Sequence, residues 1–208
     1  LNHGNFYEYD AVDRLTSIID ALNNSTVYTY DANGNMISKT NALNQTTSFS
    51  YDALNRNVII TNALTHNKIL SYDSKNNLIS LKDENGNETV STFDNYNRPI
   101  SVSNPEKETT YYNWDNNGNL TSISSPNGNV VTFSYGALNQ ILIINDVKGI
   151  ISSTNYDNNG NIIAKTDGNG NTINHFYDEL NREISLTNAL NRSTTFSYDE
   201  NSNIISIS

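Results

Sequence analysis

Nine times along this chain a carboxylate directly follows an aromatic ring: Tyr9-Asp10, Tyr30-Asp31, Tyr51-Asp52, Tyr72-Asp73, Phe93-Asp94, Trp114-Asp115, Tyr156-Asp157, Tyr177-Asp178 and Tyr198-Asp199. A phenol beside a carboxylate could act as a general acid next to a nucleophile. An active site is singular, however, and a pair repeated this often reads as structure. The ring packs between strands and the Asp accepts backbone N–H bonds at a turn. The three histidines, His3, His66 and His175, lie in separate stretches, which argues against a His-ligated metal. With no Cys, the chain has no disulfide, Cys-ligated zinc or iron–sulfur chemistry. No catalytic residue, metal or cofactor is expected. Asp115-Asn116-Asn117-Gly118-Asn119 and Asp157-Asn158-Asn159-Gly160-Asn161 have the oxygen content of a calcium loop. An EF-hand closes with a bidentate Glu at about its twelfth position. Counted from Asp157 and Asp115 that position holds Gly168 and Pro126, which leaves only weak binding at an acidic turn.

The elements that hold these pairs follow from their spacing. The aromatic recurs every 21 residues from Tyr9 to Tyr198, with Tyr135-Gly136 filling the one gap in the Asp series. With the ring as position zero, a turn signal follows at once, as in Asn33-Gly34-Asn35 or Asn117-Gly118-Asn119. A strand-like run such as Leu78-Ile79-Ser80-Leu81 comes next. A second turn signal sits near positions 13 to 15, as Asn85-Gly86 or Ala42-Leu43-Asn44, and a Thr/Ser-rich run then leads to the next ring. Asn-Gly between strand-like runs is a hairpin cue, because a tight turn needs positive φ that Asn and Gly adopt cheaply. The alternation has period two, which excludes helices. Tyr28 with Tyr30, Phe49 with Tyr51 and Tyr112 with Trp114 then share one face with Val58/Ile60 and Ile79/Leu81. His175 takes a place in this layer and packs there. Lys39 and Lys165 also fall on the apolar face, where their stems pack and their heads reach polar groups. The expected fold is all-β: residues 1–208 form one array of tandem 21-residue two-strand hairpins in a curled antiparallel sheet.

Composition narrows the partners. The 208 residues include 39 Asn, and 12 Lys and Arg stand against 22 Asp and Glu, a formal charge of −10. That balance is the reverse of what a nucleic-acid binder needs. No apolar run approaches the roughly 20 residues of a membrane span. Without an initiator Met, the sequence reads as part of a longer polypeptide.

Tyr9-Asp10-Ala11-Val12-Asp13-Arg14-Leu15 and Trp114-Asp115-Asn116-Asn117-Gly118-Asn119-Leu120 resemble the YD, or Rhs, repeat, whose pattern is Tyr-Asp-x-x-Gly-Arg-Leu. The resemblance covers essentially the whole chain. Phe93, Trp114 and Gly136 depart from the pattern while keeping its ring or its turn. The resemblance implies a β-shell of the kind found in bacterial polymorphic toxins, the cocoon of toxin complexes, and teneurins. It implies a secreted, cell-surface or cell-wall location, and the rest of the same polypeptide as partner. The Asp-Pro-x-Gly-Leu self-cleavage segment of such shells is absent, since Pro99, Pro105 and Pro126 follow Arg, Asn and Ser. The leading expectation is a non-enzymatic wall segment that encloses or displays another domain, such as a C-terminal toxin. The rival is an adhesion or carbohydrate-binding surface, with Tyr111, Tyr112 and Trp114 as the densest aromatic group.

Overall fold

In the computed structural model, residues 4–208 are described, and His3 lies outside them. The described residues form an all-β chain without helices. Cα proximity divides it into two units, 1–109 and 110–208. The first carries β1 (Phe6–Tyr9), β2 (Leu15–Ile19), β3 (Ser25–Tyr30), β4 (Met36–Thr40), β5 (Thr46–Tyr51), β6 (Asn57–Thr61), β7 (Asn67–Tyr72), β8 (Leu78–Lys82), β9 (Glu88–Phe93) and β10 (Pro99–Ser103). The second carries β11 (Thr109–Trp114), β12 (Leu120–Ser124), β13 (Val130–Tyr135), β14 (Ile141–Asp146), β15 (Gly149–Tyr156), β16 (Ile162–Asp167), β17 (Thr172–Tyr177), β18 (Glu183–Thr187), β19 (Ser193–Tyr198) and β20 (Ile204–Ile207). Within each unit every strand pairs antiparallel with the one before and the one after it in sequence.

The turns share one construction. In the hairpin after Tyr51, the Asp52 N–H donates to the Arg56 carbonyl and the Asn55 N–H to the Asp52 carbonyl. Asn55 takes a left-handed φ of 59°. This is a three-residue loop whose last member must tolerate positive φ, hence Asn or Gly there. The second turn of each repeat follows the same plan, with Asn44 (φ 59°) and Gly86 (φ 88°) in that place. Thr65 (φ 65°) and Lys107 (φ 67°) occupy it against their preference. One turn differs. Asp146 pairs directly with Gly149, and the register shifts between Ile144 and Asn145, so a bulge restores the phase that the shorter turn would lose.

A bulge also follows every ring. Tyr51 lies opposite Asn57 and Ser50 opposite Ile59, which leaves Val58 as the extra residue. The same shift recurs at Tyr30, Tyr72, Trp114, Tyr135 and Tyr198. Strict alternation from position nine would send position six to the polar face; the bulge returns it to the ring's side. Leu15, Met36, Leu78 and Leu120 therefore stand against a ring. Position nine keeps its expected face, with Phe49 opposite Ile60, Leu70 opposite Leu81, and Tyr112 opposite Ile123, while position seven, as at Val58 and Ile79, is the unpaired residue of the bulge. The other face bears a ladder of hydroxyls, including Thr29 to Ser38 (2.5 Å) and Thr92 to Ser101 (2.6 Å). No described hydrophobic residue is fully buried. Each unit has one half-covered apolar layer where a thicker protein would have a sealed core.

Candidate functional site

The repeated Tyr-Asp corner is where functional side chains converge. In the corner at Asp52, Oδ1 accepts the N–H groups of Leu54 (2.9 Å) and Arg56 (3.0 Å). Oδ2 accepts Arg56 Nε at 2.7 Å. In the corner at Asp31, Oδ1 accepts Asn33 and Asn35 N–H, and Oδ2 accepts Asn35 Nδ2 at 2.9 Å. The carboxylate is the peg of the turn. These bonds favour the charged form and hold the carboxyls below the ordinary value near 3.8. At Asp52 and Asp73 the largest cause is the side chain four residues on, Arg56 or Asn77, followed by its backbone N–H.

The phenols are committed as well. Tyr30 Oη donates to the Leu15 carbonyl (2.8 Å), Tyr51 to Met36 (2.9 Å), Tyr135 to Leu120 (2.8 Å) and Tyr198 to Glu183 (2.7 Å). Each bond reaches back 15 residues and ties one repeat to the preceding one. Burial, and then the charge of Asp115, push the Tyr135 phenol above its usual 10. An acid whose proton is held by a carbonyl, beside a base whose lone pairs are filled, is a strut.

A second set of ties was not read from the sequence. Position five alternates: Arg14, Arg56, Arg98 and Arg182, with Gln140 as the one departure, on one set of repeats, and Asn35, Asn77, Asn119, Asn161 and Asn203 on the other. The true period at this edge is thus 42 residues. Arg14 spans forward, with Nη1 on the Asp31 carbonyl (3.0 Å) and its guanidinium 4.9 Å from the Tyr30 ring centre. Arg56 does the same at Asp73 (3.0 Å) and Tyr72 (4.7 Å). Guanidinium over an aromatic face adds a cation–π attraction to the hydrogen bond. The Asn repeats tie forward differently. Asn35 Nδ2 donates to Asn55 Oδ1 (2.8 Å), Asn77 to Asn97 (3.0 Å), Asn119 to Asn139 (2.9 Å) and Asn161 to Asn181 (2.8 Å). The acceptor is always the left-handed residue of the next turn. The Arg/Asn alternation was the signal, and a search for a single 21-residue consensus averages it away.

The remaining sequence candidates are placed as follows. Tyr111 lies opposite Ser124 and is 55% exposed, whereas Tyr112 and Trp114 lie opposite Ile123 and Leu120 on the other face. The three rings do not form one platform. His175 stands opposite Leu186 in the ring layer, and its Nδ1 meets Glu183 Oε1 at 2.5 Å. Lys39 lies opposite Tyr28 with Nζ 5.9 Å from the ring centre. Lys165 stands between Thr154 and Ile173. Among the described residues, no three His, Asp or Glu side chains are grouped to hold a metal. A groove of about 510 Å³ runs past Lys39, Gln45 and Thr47. Two of its amides are already turn pegs, since Asn41 Oδ1 accepts Leu43 and Gln45 N–H and Asn62 Oδ1 accepts Leu64 and His66 N–H.

Tandem hairpins with one apolar layer, joined by repeat-to-repeat side-chain bonds, define a β-repeat wall. The family model described as Teneurin YD-shell matches residues 44–208, and that of the RHS Repeat matches residues 9–43. The chain belongs to the YD-shell and RHS repeat family. Among solved structures, TcdB2-TccC3-TEV aligns with a TM-score of 0.70 at 16% identity, over 98% of this chain and 12% of that one. TcdB2-TccC3 and the Photorhabdus luminescens Tc holotoxin pore each give 0.55 at 16% identity, over 98% of this chain and 14% of theirs. These likenesses concern the fold, and this chain spans about an eighth of those proteins. No curated protein matches it by sequence.

Proposed function

We propose that this chain is a non-enzymatic wall segment of a large secreted or surface protein, where it encloses or displays another domain such as a C-terminal toxin. The observation that supports this reading is the set of forward and backward ties that join most Tyr-Asp corners to their neighbours. Where they occur, the phenol and the Arg or Asn join neighbouring repeats while the Asp pegs its own turn, an arrangement that suits a barrier. The mechanism is steric. Within a unit every interior strand is hydrogen-bonded on both sides, so an unfolded segment cannot be threaded through without breaking a ladder. The wall's partner is the rest of the same polypeptide.

Limited proteolysis of the full-length polypeptide, with mass mapping, tests this. The domain beyond the array should stay uncut under native conditions and be cut once urea opens the wall. Equal cutting in both conditions would overturn the reading. A second reading, adhesion through carbohydrate, draws on Tyr111, which is exposed beside the Asn113–Ser122 hydrogen bond (2.8 Å) on the hydroxyl face. A glycan array with the native chain and Tyr111→Ala decides it. Binding lost in the variant supports adhesion, and a blank array removes it.

A further inference from the structure

Two turns of the second unit match in sequence and backbone but differ in what holds their side chains. Asp157-Asn158-Asn159-Gly160-Asn161 and Asp167-Gly168-Asn169-Gly170-Asn171 carry Asn-Gly at the same places. In each, the Asp N–H donates to the carbonyl of the last Asn at 2.9 Å. The Gly N–H donates to the Asp carbonyl, at 3.1 Å for Gly160 and 3.0 Å for Gly170. Oδ1 of the Asp accepts the N–H of Asn159 or Asn169 at 2.9 Å. Both glycines are left-handed, with φ of 90° and 83°. The amides differ. Asn159 Nδ2 donates to Asn181 Oδ1 in the next repeat at 2.9 Å, whereas the Asn169 side chain bonds to no described residue. The space over the glycines differs in the same sense. A Cβ on Gly160 would come within 3.1 Å of Gln140 Nε2, and one on Gly170 would meet nothing within 4 Å.

Asn followed by Gly is open to attack from within the chain, because glycine has no Cβ to keep its nitrogen away from the preceding side-chain amide. We propose that Asn169 is a modification site that deamidates spontaneously through Gly170, and that Asn181 holds Asn159 back from the same reaction. Hydroxide or a buffer base removes the Gly170 N–H proton, and the nitrogen attacks Asn169 Cγ. The N–Cγ bond forms, the Cγ–Nδ2 bond breaks, and the amide nitrogen leaves as ammonia with a proton from water. The resulting succinimide takes up one water at either carbonyl and opens to aspartate or isoaspartate. Nothing is oxidised or reduced, and water is the co-reactant.

The attack requires the side chain to swing Cγ toward the glycine nitrogen, a near-attack arrangement that a free amide samples and a tied one does not. Both turns must release the Gly N–H from the Asp carbonyl, so that cost is common to them. What separates them is the bond from Asn159 to Asn181 and the cover of Gln140. The first unit repeats the contrast. Asn33 Nδ2 reaches Asn55 Oδ1 at 3.3 Å, and Asn85, also before a glycine, has no such tie among the described residues. Either product alters the turn. Aspartate sets a second carboxylate two residues from Asp167, and isoaspartate lengthens the backbone of a loop built for three residues.

Peptide mapping of the native chain, incubated in mildly alkaline buffer made with heavy-oxygen water, tests this, since each conversion leaves a heavy oxygen in the new carboxyl. Asn169 should convert about fivefold faster than Asn159, the rate equivalent of one hydrogen bond. In urea, with the sheet unfolded, the two sites should convert at similar rates. Asn181→Gly removes the acceptor and suits the left-handed φ of 59° at that place. In this variant Asn159 should speed up severalfold while Asn169 keeps its native rate, with circular dichroism checking the sheet. Equal rates at the two sites in the native chain would overturn the proposal, as would a gap that persists in urea. So would an Asn159 rate that Asn181→Gly leaves unchanged.

Discussion

At the scale of the residue, the turn bonds of the corner carboxylates favour their charged form. The carboxyls of Asp52, Asp73, Asp115 and Asp199 are held below 3.8, chiefly by the side chain four residues on. A depressed carboxyl contributes stability above its unfolded value and loses it as pH falls through its folded value. The thermal midpoint should therefore hold down to about pH 4 and drop steeply below that, as melting curves in a pH series will show. Thr65 is the opposite case, a β-branched residue at φ 65°. Strain of this kind costs on the order of 1–3 kcal/mol. Thr65→Gly should raise the urea midpoint, with Asn44→Gly, at an Asn that already tolerates φ 59°, as the near-neutral comparison.

At the scale of the element, the hairpin is a turn peg, a bulge and a ring laid over position six. That position holds Leu15, Leu78 and Leu120 in three repeats but Asn57 in the repeat of Tyr51. Asn57 Oδ1 is buried without a hydrogen-bond partner. An unmet buried acceptor costs about 1–3 kcal/mol, and Leu would replace it with apolar contact to the ring. Asn57→Leu should stabilise the chain by roughly 1 kcal/mol or more, measured by urea denaturation. A lower midpoint would show that the amide has a role that this geometry does not reveal. His175 and Glu183 form another polar exception in the ring layer, but their 2.5 Å contact satisfies both.

At the scale of the whole molecule, stability is a sum of repeats and of the joins between neighbours, because in each unit a repeat touches only the next one along. Hydrogen exchange followed by mass spectrometry should accordingly be fastest in β1 and β20, whose side chains are exposed, and slowest in interior strands such as β6, β7, β16 and β17. Uniform protection from β1 to β20 would contradict this. The Teneurin YD-shell family model covers residues 44–208, and the same fold aligns with TcdB2-TccC3-TEV over 12% of that chain.

The period, the two-strand unit, the turns and most of the apolar face were legible in the amino-acid order, because each depends on a few adjacent residues. Asn55 or Gly34 determines its own φ, and Asp31 bonds to residues two and four places on. The bulge after each ring, the buried amide of Asn57 and the forward reach of Arg14 to Tyr30 were settled only in three dimensions. Those features depend on which atoms meet across paired strands or between repeats, from Tyr51 opposite Asn57, six residues on, to Arg14 over Tyr30, 16 residues on. Local conformational preference writes the hairpin; the stacking of one hairpin on the next decides what each side chain holds.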